Sequence, residues 1–172
     1  MLYFTADWHL DNASIQRYCG RPFGNVDAMN AALLANCLAT VGPDDTLYML
    51  GDFACNPDAY EAYAAMLQCS FNTVFIKGNH DPKKCDAEST LSLRWNKRRY
   101  YLSHAPWRQW RAGTVMLHGH VHGNPVSIPS GTLAHLRFDV GVDTKWGGRK
   151  YYPVSVEQIE KRIRQLDRTA AR

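Results

Sequence analysis

Short apolar segments alternate with helical patterns through the first half of this 172-residue chain. Leu2–Ala6, Thr46–Leu50 and Thr73–Ile76 have the length and composition of buried strands. Between them, apolar residues recur at helical spacing from Val26 to Val41, and the Ala-rich segment Pro57–Gln68 predicts a second helix. Strands that alternate with helices in this way predict parallel β-α-β units.

The second half of the chain is richer in predicted strands. Extended segments are expected at Arg99–Ser103, Thr114–Leu117 and Leu136–Val142. A last helix is predicted from Val156 to about Leu166, and the residues at its start have the spacing of a capping box. The length suits one domain, and 45% hydrophobic and 21% charged residues exclude a disordered or fibrous chain. We therefore expect a single α/β domain over residues 1–172.

Charge and cysteine content narrow the class of protein further. The formal net charge of +4 suits an anionic substrate but is too small to indicate a nucleic-acid-binding protein. Five cysteines without a CxxC pair argue against a disulfide framework or a cysteine zinc site. The chain has no apolar run approaching about 18 residues and does not start with a secretory signal. We expect a soluble, cytoplasmic protein with no membrane partner.

Side chains that commonly bind metal ions follow the predicted strands, at the point where each strand ends. They are Asp7 and His9 after the first strand, Asp52 after the second, Asn79 and His80 after the third, and His104, His120 and His122 after later strands. Because the carboxyl ends of parallel strands share one edge of a sheet, these groups should lie together. Carboxylate, imidazole and amide oxygen ligands favour ions such as Mn²⁺, Fe²⁺ or Zn²⁺. The set is too large for one tetrahedral ion and suits two, with Asp52 as the candidate bridging ligand.

The order of these motifs resembles the calcineurin-like metallophosphoesterase superfamily. The motifs are D-x-H at 7–9, G-D at 51–52, G-N-H-D at 78–81, an isolated His104, and G-H-V-H at 119–122. The segments 17–23, 103–106 and 139–143 are similar to those of small bacterial and phage phosphohydrolases of that superfamily. The resemblance implies a four-layer sandwich, in which two mixed β-sheets pack face to face with α-helices outside.

The resemblance also implies a role for each site residue. One ion would be bound by Asp7, His9, Asp52 and His122, and the other by Asp52, Asn79, His104 and His120. His80 would act as general acid toward the leaving oxygen, steadied by Asp81, while a hydroxide bridging the two ions attacks phosphorus. Mn²⁺ is the expected metal, with iron, zinc and nickel as alternatives. Arg21 and Arg108 are candidates to bind the substrate phosphate.

Three functions remain in competition. The leading hypothesis is a phosphoesterase for small phosphomonoesters or phosphodiesters. No Asp-Arg-Gly follows Gly51-Asp52 as it does in the protein serine/threonine phosphatase branch of the superfamily, which argues against a phosphoprotein phosphatase. The first alternative is a nuclease with the same metal chemistry, and the second is a non-catalytic metal-binding protein. The cationic and aromatic stretch 94–111 could grip nucleic acid, but a basic hairpin whose aromatic rings pack inward is favoured. His118 is expected to pack behind the ligands, while the role of His135 and the oligomeric state stay open.

Overall fold

Two four-stranded sheets form the β structure of the computed structural model, which describes residues 1–106, 113–125 and 136–170. The strands are β1 (Leu2–Thr5), β2 (Thr46–Leu50), β3 (Asn72–Ile76), β4 (Thr90–Trp95), β5 (Arg98–Ser103), β6 (Thr114–His118), β7 (Arg137–Asp139) and β8 (Val154–Ser155). The helices are α1 (Ala13–Cys19), α2 (Val26–Leu38), α3 (Pro57–Ser70) and α4 (Val156–Ala170).

Both sheets are mixed, as predicted. The first has the strand order β3-β2-β1-β8, with β1, β2 and β3 parallel and β8 antiparallel to β1. The second has the order β4-β5-β6-β7, with β5, β6 and β7 parallel and β4 antiparallel to β5. The parallel strands of each sheet therefore end at a common edge, as the placement of the ligand-type residues requires.

Two hydrophobic cores lie on opposite faces of the first sheet. In β2, Leu47 and Met49 pack with buried residues of α1, α2 and α3. Leu50, at the end of the same strand, belongs to the second core, together with buried residues of β5 and β6 and with Ile159 and Ile163 of α4. Successive side chains of a strand point to opposite faces, so one short strand contributes to both cores.

Helix α1 and strand β4 differ from the sequence-based expectation. The segment expected to be a polar loop contains the short helix α1, which Asn12 caps by accepting the Ser14 N–H and which Gly20 ends at φ 62°. Strand β4 was not expected, because it is an edge strand with exposed polar positions. It forms a hairpin with β5 through Asn96-Lys97, and Tyr100 of that hairpin is fully buried, which agrees with the favoured interpretation of this stretch.

The observed ends of several helices and strands also differ from the predicted ends. Helix α2 stops at Leu38, before the predicted Val41, and β7 is shorter than the predicted segment. Helix α4 extends to Ala170, and its capping box is confirmed by reciprocal hydrogen bonds between Ser155 and Gln158. All five cysteines are unpaired, as expected. Within the described part of the chain, every helix is too short or too polar to span a bilayer.

Candidate metal centre

The predicted ligands sit on sharply turned backbone just beyond the strand ends. Five of them have a positive φ, between 51° and 73°: Asp7, His9, Asp52, His120 and His122. In a residue other than glycine such a conformation costs on the order of 1–3 kcal/mol and persists only where its surroundings enforce it. Strained backbone of this kind concentrates at functional sites, and here it coincides with the metal-ligand types.

Glycines in the motifs are required by close approach to these ligands. A Cβ on Gly78 would come closer than 3.0 Å to the backbone nitrogen and the carboxylate of Asp52. A Cβ on Gly119 or Gly141 would come equally close to the carboxylate of Asp7. Each glycine therefore leaves the space that a buried carboxylate occupies.

One group of potential ligand atoms comprises Asp7, His9 and His122, whose atoms all lie within 4.8 Å of one another. Both oxygens of the buried Asp7 carboxylate accept the backbone N–H of His120, at 2.9 and 3.0 Å. His9 is 2% exposed, yet neither of its ring nitrogens has a hydrogen-bond partner among the described residues. A buried polar group without a partner is rare, and a bound cation would satisfy it.

A second group comprises Asp52, His104 and His120, again within 4.8 Å. Nδ1 of His104 lies 2.9 Å from the carbonyl oxygen of Leu50, which can only accept, so Nδ1 carries the proton. Nε2 of His104 faces the side-chain oxygens of Asn79 at 3.0 Å and Asp52 at 3.3 Å. These atoms are acceptors clustered around one point, which suits a cation.

Asp52 lies between the two groups. Its Oδ2 is 3.5 Å from Nε2 of His9 and 3.3 Å from Nε2 of His104, which belong to different groups. Its Oδ1 accepts the backbone N–H of His80 at 2.8 Å. Asp52 is therefore the carboxylate that lies between the two ligand groups.

Burial and neighbouring charges shift the pKa values of the clustered groups. Burial raises the pKa of Asp7 to about 7 and lowers the pKa of His9 to about 3. Burial also works against the charge of His104, but the neighbouring carboxylates of Asp52 and Asp7 raise its pKa overall. Divalent cations would stabilise the carboxylates and use the imidazole lone pairs, so the residues fit a metal centre.

The candidate general acid and its neighbour occupy different environments. His80 is exposed, and its ring centroid lies 5.2 Å from that of His9. The Asp81 carboxylate instead accepts four backbone N–H groups, those of Asp52, Phe53, Ala54 and Gly78, at 2.7–3.3 Å. The prediction that Asp81 steadies His80 is therefore wrong: Asp81 holds the backbone on either side of the site.

The prediction that Arg21 binds the substrate phosphate is also wrong. Its side chain is fully buried and pairs with Asp143, a residue that the sequence analysis did not assign to the site. Burial works against the charge of Asp143, but the hydrogen bonds that it accepts from His122 and Arg21 lower its pKa to about 2. The second candidate, Arg108, lies outside the described residues, as does His135. His118 is buried, as expected, and its Nδ1 lies 2.8 Å from the Gly119 carbonyl oxygen.

A pocket of about 420 Å³ opens above the two ligand groups. Its described lining consists of His9, Asn12, Ser14, Ile15, Tyr18, Asp52, His80, His120 and His122. Helix α1 forms one wall, and His80 lies on the lining with the potential ligands. The pocket therefore gives a small molecule direct access to the candidate metal centre.

Comparison with known proteins identifies the family to which this site belongs. The family model described as calcineurin-like phosphoesterase matches residues 2–168. The chain belongs to the calcineurin-like phosphoesterase family. This confirms the resemblance seen in the motifs and supports a metal-dependent phosphoester hydrolase.

The relatives of this calcineurin-like phosphoesterase match most of its chain. The uncharacterized protein MJ1445 of Methanocaldococcus jannaschii is 30% identical over 166 residues, which cover 94% of this chain and 90% of that protein. The crystal structure of a protein of unknown function, AQ665 from Aquifex aeolicus, has a TM-score of 0.72 at 23% identity and shows the same fold over 94% of this chain and 98% of that one. A predicted phosphoesterase from Streptococcus pneumoniae is more distant, with a TM-score of 0.39 at 17% identity, covering 82% of this chain and 70% of that one.

Proposed function

We propose that this protein is a dinuclear metal-dependent phosphoesterase that hydrolyses small phosphomonoesters or phosphodiesters. The observation that carries the proposal is the pair of ligand groups on either side of Asp52, next to the buried and unpartnered ring nitrogens of His9. One ion would be held by Asp7, His9, Asp52 and His122, and the other by Asp52, Asn79, His104 and His120.

Two divalent ions bound there would lower the pKa of a bound water from 15.7 toward roughly 7 and neutralise charge on the phosphoryl oxygens. The chain's own contribution is to hold the ligands in place before the substrate arrives. The left-handed turns at the strand ends fix the carboxylates and imidazoles. The hydrogen bond from Nδ1 of His104 to Leu50 directs Nε2 toward the centre.

We assign protonation of the leaving oxygen to His80, which lies on the lining of the pocket and outside both ligand groups. Its backbone N–H is anchored on Asp52, while its exposed ring lies beside His9 on the lining of the pocket. An alkoxide is a poor leaving group, so proton donation by a positioned imidazolium should contribute roughly 10²- to 10⁴-fold to the rate.

The size and chemistry of the pocket favour a small substrate. Its described lining contains no lysine or arginine, so an extended polyanion would find no cationic track on these walls. A volume of about 420 Å³ can enclose one phosphate ester with a compact alcohol. This supports a small ester over a nucleic acid strand as the substrate.

The proposal is tested by metal analysis and by turnover of matched esters. Wild-type protein reconstituted with Mn²⁺ should bind two ions and hydrolyse both an alkyl and a nitrophenyl phosphate ester. His80→Ala should keep two ions and lose about 10²-fold or more on the alkyl ester, but much less on the nitrophenyl ester, whose leaving group needs no proton. Asp52→Asn should lose metal and activity together, while the exposed control Asp86→Asn should change neither.

Three results would contradict the proposal, each at a different point. Wild-type protein that holds fewer than two ions at saturating Mn²⁺ would contradict the dinuclear centre. Equal loss on both esters in His80→Ala, or no loss on either, would contradict the role of His80 as general acid. Inactivity on every mono- and diester with two ions bound would favour a non-catalytic metal-binding protein.

A further inference from the structure

A buried ion pair joins two distant parts of the chain directly behind the candidate metal centre. Nε of Arg21 donates to Oδ1 of Asp143 at 3.0 Å, and Nη2 donates to Oδ2 at 2.8 Å. The two side chains are 0% and 2% exposed. Neither residue is part of the described pocket lining, so the pair does not contact the substrate from this position.

The guanidinium also holds the backbone between two of the ligands. Nη2 of Arg21 donates to the carbonyl oxygen of Asp7 at 2.6 Å, and Nη1 donates to that of Trp8 at 2.8 Å. This segment includes the left-handed residues Asp7 and His9, with φ of 61° and 52°. Conformations of this kind need outside support, and the two hydrogen bonds supply it.

Asp143 acts on a third ligand of the same group. Its Oδ2 accepts from Nδ1 of His122 at 2.9 Å. With Nδ1 serving as donor, Nε2 of His122 remains the nitrogen that can bind a cation, and the hydrogen bond fixes the orientation of the ring. One ion pair thereby contacts, directly or through the backbone, all three members of the group Asp7, His9 and His122.

Asp143 itself is poorly suited to be a metal ligand. Potential ligand atoms of Cys19, His122 and Asp143 lie within 4.8 Å of one another, which makes a third cation site conceivable on spacing alone. However, both oxygens of Asp143 already accept N–H groups of Arg21, and the guanidinium charge would repel a cation placed there. Stability alone also explains the pair poorly, because a buried ion pair contributes little net free energy compared with apolar residues.

We propose that Arg21 and Asp143 are positioning residues, which orient His122 and the Asp7–His9 turn for one of the two ions. The inference rests on the dinuclear centre of the proposed function. It predicts an effect on one ion only, because the group formed by Asp52, His104 and His120 makes none of these described contacts with Arg21 or Asp143. Weakening the pair should therefore affect one ion much more than the other.

The test compares Mn²⁺ binding by wild-type protein and by Asp143→Asn, using calorimetry and electron paramagnetic resonance. Asparagine keeps the size of the side chain but replaces one acceptor oxygen by an NH₂ group, which must face a donor of Arg21 or of His122. One ion should bind about 10- to 100-fold more weakly, and the other with wild-type affinity. The spectrum at moderate Mn²⁺ should then change from that of a coupled pair to that of a single ion.

A matched control and a second variant separate positioning from folding. Glu160→Gln removes a carboxylate of the same charge from α4, where Glu160 pairs with Arg98 and accepts the hydroxyl of Tyr100, and it should leave both affinities unchanged. Arg21→Lys retains the charge but cannot reach the carboxylate and both carbonyl oxygens, so it should weaken the same ion. If Asp143→Asn proves unfolded by circular dichroism, Arg21→Lys decides the question.

Each result has one meaning. Selective weakening of one ion in either variant supports the inference. Wild-type affinity for both ions in a folded variant, or equal weakening of both, overturns it while leaving the proposed function intact. Fewer than two ions in the wild-type protein would instead refute the proposed function.

Discussion

Replacement of Asp81 by asparagine should destabilise the protein strongly, because its carboxylate organises the backbone around the metal centre. Oδ1 accepts the N–H groups of Phe53 and Ala54, and Oδ2 accepts those of Asp52 and Gly78. In Asp81→Asn the amide oxygen can replace only one of these acceptors. The amide nitrogen then faces two backbone donors in a site that is 7% exposed.

The magnitude follows from the number of hydrogen bonds lost. Two bonds to a charged acceptor contribute about 1.5–3 kcal/mol each, so the free energy of unfolding should fall by about 3–6 kcal/mol. That is a large part of the 5–15 kcal/mol that typically stabilises a folded domain. Urea unfolding of the metal-free protein, followed by tryptophan fluorescence, measures the change as a lower midpoint at an unchanged slope.

Asp86→Asn is the matched control for this experiment. Asp86 is exposed and lies five positions along the same loop, so its substitution should change the free energy of unfolding by less than about 0.5 kcal/mol. If Asp81→Asn changed stability by less than about 1 kcal/mol but abolished turnover, the reasoning would fail. Asp81 would then act on His80, as the sequence alone suggested.

Three further predictions address the site and its pocket. Gly141→Ala should abolish tight Mn²⁺ binding, because the added Cβ would overlap the Asp7 carboxylate. The control Gly24→Ala, whose Cβ would lie in open space, should bind Mn²⁺ normally in the same titration. Tyr18→Ala should lower kcat/KM for aryl esters more than for methyl esters, because the Tyr18 ring lines the pocket and is 76% exposed. Equal losses of kcat/KM on both esters would exclude a contact between Tyr18 and the leaving group. Mn²⁺ affinity should rise at least about tenfold per pH unit between pH 6 and 8, because the ions must displace protons from Asp7 and His122. The pKa of Asp7 is about 7, and the hydrogen bond to Asp143 raises the pKa of His122 to about 10 against the effect of burial. Calorimetry in different buffers detects the released protons. A pH-independent affinity would contradict the last prediction.

Local patterns were sufficient for the strands whose ends carry the candidate ligands. The apolar run Thr46–Leu50 is a strand with the predicted bounds, because a short buried strand carries its signal in its own residues. The placement of Asp7 and Asp52 near each other followed from a general property of parallel strands. Helix α1 was missed because it buries only Ile15 and so has no apolar stripe.

Other features depend on contacts between distant residues. Arg21 sits in a polar loop next to proline, where a cation would ordinarily be exposed, and its burial depends on Asp143, 122 residues later. Asp81 lies beside His80 in sequence, yet its carboxylate turns to backbone donors near residue 52. Neither orientation could be read from adjacent residues, because both were decided by which donors and acceptors the fold left buried.

The two ligand groups draw on both sheets. Asp7 and His9 follow a strand of one sheet and His122 follows a strand of the other, while Asp52 faces His104 and His120 across the same junction. Each ion would therefore link the two sheets through its ligands. A core substitution that displaces one sheet relative to the other would then lower metal affinity without changing any ligand residue. The packing between the two sheets thus determines the distances between the ligands and, through them, the affinity for metal.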